Sequence, residues 1–263
     1  MLRVPARITA AFWIVKLLTT AFGESTSDAL VHDVNPYLAV VAGFVVFAVA
    51  MAIQLRAKRY VPWMYWLAVA MVAVFGTMAA DVLHVEFGVP YIVSSILFAV
   101  ILVAVFWSWR RVEGTLSIHS ITTDRRELFY WAAVLATFAM GTALGDLAAY
   151  TFNLGFLSAG IVFAVLFALP GVAFAAFRIN GILAFWAAYV LTRPLGASFA
   201  DWTGKGRHAG GLGLGDGPVA GVLAVLIVAG VAYLTVTRGS EREAPSLGRE
   251  VRLPLEPLDA GEP

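Results

Sequence analysis

The chain has no cysteine among its 263 residues. Disulfides, thiolate metal sites and a cysteine nucleophile are therefore excluded, and the redox compartment leaves no trace. Charge is scarce as well. Charged side chains make up 13% of the sequence, 18 Lys and Arg against 17 Asp and Glu, for a net charge of +1. A soluble domain carries about 25%. This balance points to no nucleic-acid partner. Also missing are a Walker phosphate loop, a His pair at metalloprotease spacing and a serine in a nucleophile elbow. These absences argue against an enzyme and against a built-in ATPase, and no cofactor is implied. What remains is apolar: 60% of the residues, with a mean hydropathy of +0.84. The expected class is an all-α, polytopic membrane protein whose main partner is the lipid bilayer.

One frame occurs four times: an aromatic, then Trp, then Gly ten residues after the Trp and Asp five after that. The copies are Phe12-Trp13…Gly23…Asp28, Tyr65-Trp66…Gly76…Asp81, Tyr130-Trp131…Gly141…Asp146 and Phe185-Trp186…Gly196…Asp201. Each lies in a hydrophobic run long enough to span a bilayer, which needs about 20 residues. Eight such runs are expected, near 8–30, 36–55, 61–83, 90–109, 128–150, 156–177, 182–203 and 218–237. The first follows Arg3 and Arg7, as a secretory signal would. It also holds Lys16, Glu24 and Asp28 and is the first of four copies, so it reads as a retained span.

The spans pair into repeats: 1–60, 61–127 with a polar linker at 110–127, 128–181 and 182–237, followed by a charged tail at 238–263 expected to be disordered. Two spans per repeat return the chain to one side. The four repeats are therefore parallel and can be pseudo-symmetric about the membrane normal. Fourteen of the 18 Lys and Arg fall on one side and Lys205 and Arg207 on the other, leaving Lys16 and Arg193 within the membrane. The positive-inside rule then puts both termini in the cytoplasm of a cell whose inner (plasma) membrane holds the protein. The run from Thr203 to Gly217, which contains GGLGLGDG, reads as a flexible external loop.

The segments FWIVKLLTTAFGESTSD, YWLAVAMVAVFGTMAAD, YWAAVLATFAMGTALGD and FWAAYVLTRPLGASFAD resemble a family of bacterial multi-pass proteins. It is built of four tandem two-helix repeats of unknown function and is often labelled "membrane-anchored protein". The resemblance covers roughly residues 8–237. It implies the architecture and no activity.

The frame is also a statement of depth. Asp lies about 22 Å beyond its Trp along a helix and about 60° round from it. With Trp13, Trp66, Trp131 and Trp186 at the cytoplasmic interface, Gly23, Gly76, Gly141 and Gly196 fall mid-membrane, where they admit close helix packing. Asp28, Asp81, Asp146 and Asp201 then share one outer level as an ion or proton site, with Glu24 one turn before Asp28. The competing reading puts Asp28 and Asp201 at the water interface as turn caps. Thr77 and Thr142 hold the repeat position of Glu24, and His84 follows Asp81 by three, where it either addresses the same point or sits exposed in a turn. Depth arithmetic pairs Arg193 with Glu24, joining the first and last repeats. Lys16 is expected to snorkel to the cytoplasmic face, and Pro194 to kink the seventh span.

These groups sum to five carboxylates against Lys16 and Arg193. Such a surplus calls for protons, water or a bound hard cation. The sequence therefore suggests a secondary transporter for a small ion or polar solute, with a cation as the expected cargo, a divalent metal or proton coupling among the options, and no particular metal named. A non-transporting scaffold or sensor is the alternative. The oligomeric state is not legible.

Overall fold

The computed structural model describes residues 1–247, and the tail positions 248–263 lie outside the described residues. Among the described residues there are eight long α-helices: α1 (Ala10–Asp33), α2 (Pro36–Arg56), α3 (Pro62–Val85), α4 (Tyr91–Glu113), α5 (Asp124–Asp146), α6 (Gly155–Phe177), α7 (Gly181–Gly204) and α8 (Asp216–Leu247). Their starts are set by local chemistry. Asn35 accepts from the backbone N–H groups of Tyr37 and Leu38, with Pro36 at the first helical position. Asn180 does the same for Ile182 and Leu183, and Thr9 and Thr123 cap α1 and α5. A side-chain oxygen here satisfies donors that the first turn leaves free. Helix α4 stops at Gly114, which takes the left-handed backbone (φ 73°) that glycine adopts without penalty. A π-helical turn, Leu147–Thr151, extends α5 just past Asp146.

Seven of the helices, α2 to α8, are long and apolar enough to cross a membrane. Helix α1 has the length, but Lys16, Glu24, Asp28 and Asp33 leave it short of that apolar character. The chain is a multi-pass helical membrane protein, with seven such helices where the sequence suggested eight spans.

The helices form two shells. The most apolar stretch is 17% buried in α2, α4, α6 and α8, but 61% in α3 and α7 and 67% in α5. The outer four expose rows of Val, Leu, Ile and Phe, such as Val41, Phe44, Val45 and Val49 on α2. Apolar area of that extent belongs against lipid. Inside, α1 packs on α3, α3 on α5, α5 on α7 and α7 on α1. Each outer helix packs mainly on the inner helix of the next repeat: α2 on α3, α4 on α5, α6 on α7 and α8 on α1. The contacts thus run in one direction and close on themselves.

The frame residues make the closure. Phe12 meets Trp66, Tyr65 meets Trp131, Tyr130 meets Trp186 and Phe185 meets Trp13, with ring centroids 5.5, 5.7, 6.0 and 5.8 Å apart. Each indole therefore packs against the preceding repeat. Trp66, Trp131 and Trp186 are buried in this aromatic tier, not spread along a lipid interface as expected. One tier on, the four glycines face the position seven after the next repeat's Trp: Gly23 faces Ala73, Gly76 Phe138, Gly141 Arg193 and Gly196 Thr20. A β-carbon at any of them would overlap that neighbour.

The connections are more ordered than their composition suggests. Helices α4 and α5 take up much of 110–127, and Arg125 and Arg126 both pair with Glu113. Helix α8 runs on to Leu247, so the tail boundary at 238 falls inside a helix. The Thr203–Gly217 insertion is folded. Leu212, Gly213, Leu214 and Gly215 donate backbone bonds to Trp202, Lys205, Thr203 and Gly204. Helix α7 continues through Pro194.

Replacing Gly196 by Ala should lower the thermal unfolding midpoint in detergent, by overpacking worth about 1–3 kcal/mol. Gly171 on α6 has no atom within 4 Å of an added β-carbon, and its replacement by Ala should be neutral or stabilising. Equal shifts for the two variants would contradict the packing described.

Candidate functional site

Below the glycine tier the polar residues converge. Arg193, from the fourth repeat, is fully buried. Its Nη2 donates to Glu24, to Thr77 Oγ1 at 2.5 Å and to Thr142 Oγ1 at 2.7 Å. Those three acceptors hold one repeat position, eleven after the Trp of repeats 1, 2 and 3. The fourth equivalent is Ala197, on the helix that supplies the arginine itself. One guanidinium nitrogen thus ties all four repeats together. The expected Arg193–Glu24 pair is present, and the two threonines complete it.

Lys16 departs from expectation. It does not snorkel; it is fully buried, with Nζ 4.2 Å from the Phe138 ring centre and 4.4 Å from that of Tyr189. The faces of two aromatic rings take the place of water around the ammonium. Tyr189 holds the same repeat position as Lys16, three after the Trp.

The carboxylates lie beyond this tier, toward the end of the bundle opposite the basic one. Asp201 is 6% exposed, and its Oδ1 is buried without a hydrogen-bond partner. Asp28 is half-buried and binds Lys205 Nζ at 2.5 Å. Glu24, Asp28 and Asp201 bring ligand oxygens within 4.8 Å of one another. Asp81 and Asp146 are half-buried, and among the described residues neither has an ion-pair partner. The charges of Glu24 and Asp28 act on all of Asp81, Asp146 and Asp201, so the five acids share one electrostatic field. Among the described residues, no side-chain capping bond to a turn is made by Asp28, Asp81, Asp146 or Asp201.

Lys205, read from sequence as a loop residue, belongs to this cluster. Burial lowers the pKa of its ammonium, but the charges of Asp28 and Asp201 and the bond to Asp28 outweigh that and push it above the ordinary lysine value. Asp216 Oδ2 stands 3.8 Å away. Six carboxylates then face three cations, and the surplus of three negatives survives the enlarged count. His84 does not join Asp81. It stacks on Tyr91 at 4.3 Å, and Tyr91 stacks on Tyr150 at 5.9 Å.

A second buried ion group, missed in the sequence, sits at the basic end. Arg3 pairs with Asp124 and with Glu127 at 2.8 Å, and Gln54 Nε2 donates to Glu127 at 2.8 Å. The bond to Glu127 holds the Arg3 pKa above its ordinary value, against burial. This group clamps the N-terminal segment to α2 and α5. Arg3, Asp124 and Glu127 lie in stretches that read as a charged flank and a linker, and Gln54 near the end of an apolar span, so no pattern marked them.

Cavities divide the same way. A large one, about 760 Å3, opens on the flank between α1, α6 and α7, lined by Trp13, Phe167, Phe174 and Phe185. The acids are met by a smaller one, about 420 Å3, bounded by Asp28, His32, Lys205, His208 and Asp216.

Fold and site together define a class: a multi-pass membrane protein built of a repeated helix pair around buried ionisable groups. The chain belongs to the family described as Repeat of Unknown Function (DUF347), whose model matches residues 11–60, 64–115, 129–180 and 184–240. No curated protein and no solved structure matches it.

The central tie gives a direct test. Glu24→Gln leaves a buried guanidinium without its counter-charge, which costs about 3–5 kcal/mol. Its thermal midpoint and folded yield should fall below those of the double variant Glu24→Met/Arg193→Met. Strictly additive losses would remove the pairing.

Proposed function

We propose that this protein is a secondary transporter for a small cation, with Asp28, Asp81, Asp146, Asp201 and Glu24 as its ion or proton site. The observation that carries the reading is the surplus of carboxylate in the outer tier, where among the described residues Asp81 and Asp146 have no ion-pair partner and Asp201 Oδ1 no hydrogen-bond partner. Ionisable groups at membrane depth usually mark ion paths or proton relays. Oxygen-only ligands suit hard cations. In this reading α1 crosses the membrane as an eighth span. It packs between α3, α7 and α8, and its charges meet partners there in place of lipid. The four helix pairs form a pseudo-fourfold ring about the membrane normal, supported by the cyclic Trp and Gly contacts. The basic end faces the cytoplasm by the positive-inside rule, so the acids face outward across the plasma membrane. The close glycine contacts are where helices slide or pivot during exchange. No chemistry on a substrate is involved.

A second reading has a specific observation behind it. Arg193, Thr77 and Thr142 form a sealed tier, consistent with polar glue worth perhaps 0.6–2 kcal/mol per contact in a non-transporting scaffold or sensor.

Reconstituted vesicles separate the two. Uptake of Na+, K+, Mg2+ or Mn2+, or coupled proton movement, should fall to background when the four Asp are changed to Asn. Flux unchanged by the substitutions would remove the aspartates as the site, whereas no flux in the wild type, with folded yield lost in the variants, supports the scaffold. The cysteine-free chain also permits a clean labelling map. Single cysteines at 28, 81 and 146 should react with a water-soluble reagent from the outer side, and sealed positions would count against transport.

A further inference from the structure

The acidic tier holds one cation that a loop carries, and its position resembles that of a ligand. Lys205 directly follows the last residue of α7, at the head of the glycine-rich insertion. Its ammonium binds Asp28, one of three residues whose ligand oxygens lie within 4.8 Å of one another. That spread suits a metal ion with metal–oxygen distances of about 2.0–2.6 Å, whose opposite ligands stand about 4–5 Å apart. A second, independent observation is Asp201 Oδ1, on a side chain 6% exposed, buried and without any hydrogen-bond partner. Charge favours the same ion class. Glu24, Asp28 and Asp201 carry three negatives against Arg193 and Lys205, leaving one uncompensated. Exchanging the lysine for a divalent ion brings the group to neutrality.

We propose that Glu24, Asp28 and Asp201 form a divalent hard-cation site, and that Lys205 is a tethered counter-ion which the metal displaces. The displaced ammonium has a place to go. Asp216 stands 3.8 Å away on the wall of the same cavity, so a change of side-chain rotamer is enough. That cavity, about 420 Å3, gives the metal its approach past Asp28. Arg193 stays where it is, held by Thr77 and Thr142 as well as by Glu24. The site deepens the cation reading above at the same carboxylates, but binding and displacement require no translocation.

The test uses the full chain in detergent micelles, with Mn2+ as the probe. Calorimetry should find one Mn2+ per chain. Asp201→Asn should weaken binding about tenfold or more, the scale expected for losing a ligand or its support. Lys205→Met, which removes the competitor, should tighten it by a comparable factor. A wild-type measurement guards against misfolded variants. Saturating Mn2+ should raise acylation of Lys205 by an amine-reactive ester several-fold, with exposed Lys58 as the internal control that does not change. Binding to Lys205→Met no tighter than to the wild type, Lys205 acylation unmoved by Mn2+, or no Mn2+ binding at all would each overturn the proposal. Mn2+ binding with Lys205 displaced but no vesicle uptake would end the transporter reading and leave this site standing. Cation uptake that is lost when the four Asp are changed to Asn, without Mn2+ binding and unmoved by Lys205→Met, would do the reverse.

Discussion

A guanidinium buried at the centre of a helix bundle must find its compensation within reach of its own side chain. Arg193 finds it in Glu24, Thr77 and Thr142, one residue from each of the other three repeats. Much else follows from that requirement. The three acceptors must stand at one depth, so the repeats must share a register. The helices must come close enough for one nitrogen to touch three of them, so small residues are needed at their crossings. Gly141 lies directly against the Arg193 side chain and Pro194, where a β-carbon has no room. The arginine and the glycines are two sides of one packing problem.

The same tier separates two environments. Toward the basic end the bundle is aromatic and dry: Phe12, Tyr65, Tyr130 and the indoles interlock around it, and Lys16 is held between ring faces. Toward the opposite end the residues are acidic, buried at Glu24 and Asp201 and half-buried at Asp28, Asp81 and Asp146, and among the described residues incompletely paired. Any ion that reaches the carboxylates from the cavity beside Lys205 therefore meets a closed floor at Arg193 and Lys16. The asymmetry arises from single substitutions in a repeated pattern: Glu24 where two other copies have Thr, Arg193 where the others have Thr, Ala and Phe, and Lys16 where two copies have Val.

What was legible in the sequence had a period. The Trp–Gly–Asp frame gave register and depth, and that depth was enough to bring Arg193 to Glu24. Thr77 and Thr142 were recognisable as equivalents of Glu24, but their convergence on Arg193 needed the ring to be closed. What was not legible depended on neighbours from other helices. Snorkelling treats Lys16 as if its helix stood alone in lipid, whereas Phe138 and Tyr189 come from α5 and α7. Trp residues look like interface anchors for the same reason. Lys205 was hidden because glycine-rich composition suggests mobility, while the insertion folds back through backbone bonds to 202–205. The Arg3–Glu127–Gln54 group joins a flank, a linker end and one polar residue of α2, which the Trp–Gly–Asp frame does not include.

The cyclic contacts bear on how the protein is made. Glu24 and Arg193 are 169 residues apart, and α1 packs extensively on α7 and α8, which follow it by more than 140 positions in the chain. Until they arrive, α1 has Lys16, Glu24 and Asp28 and none of the ring faces or cations contributed by α5, α7 and the final loop. The one long helix among those described that falls short of the apolar character of a span thus depends on partners from the far end of the repeat array. A chain cut before α7 would keep Glu24 and Asp28 but lose both Arg193 and Lys205, the cations that pair with them.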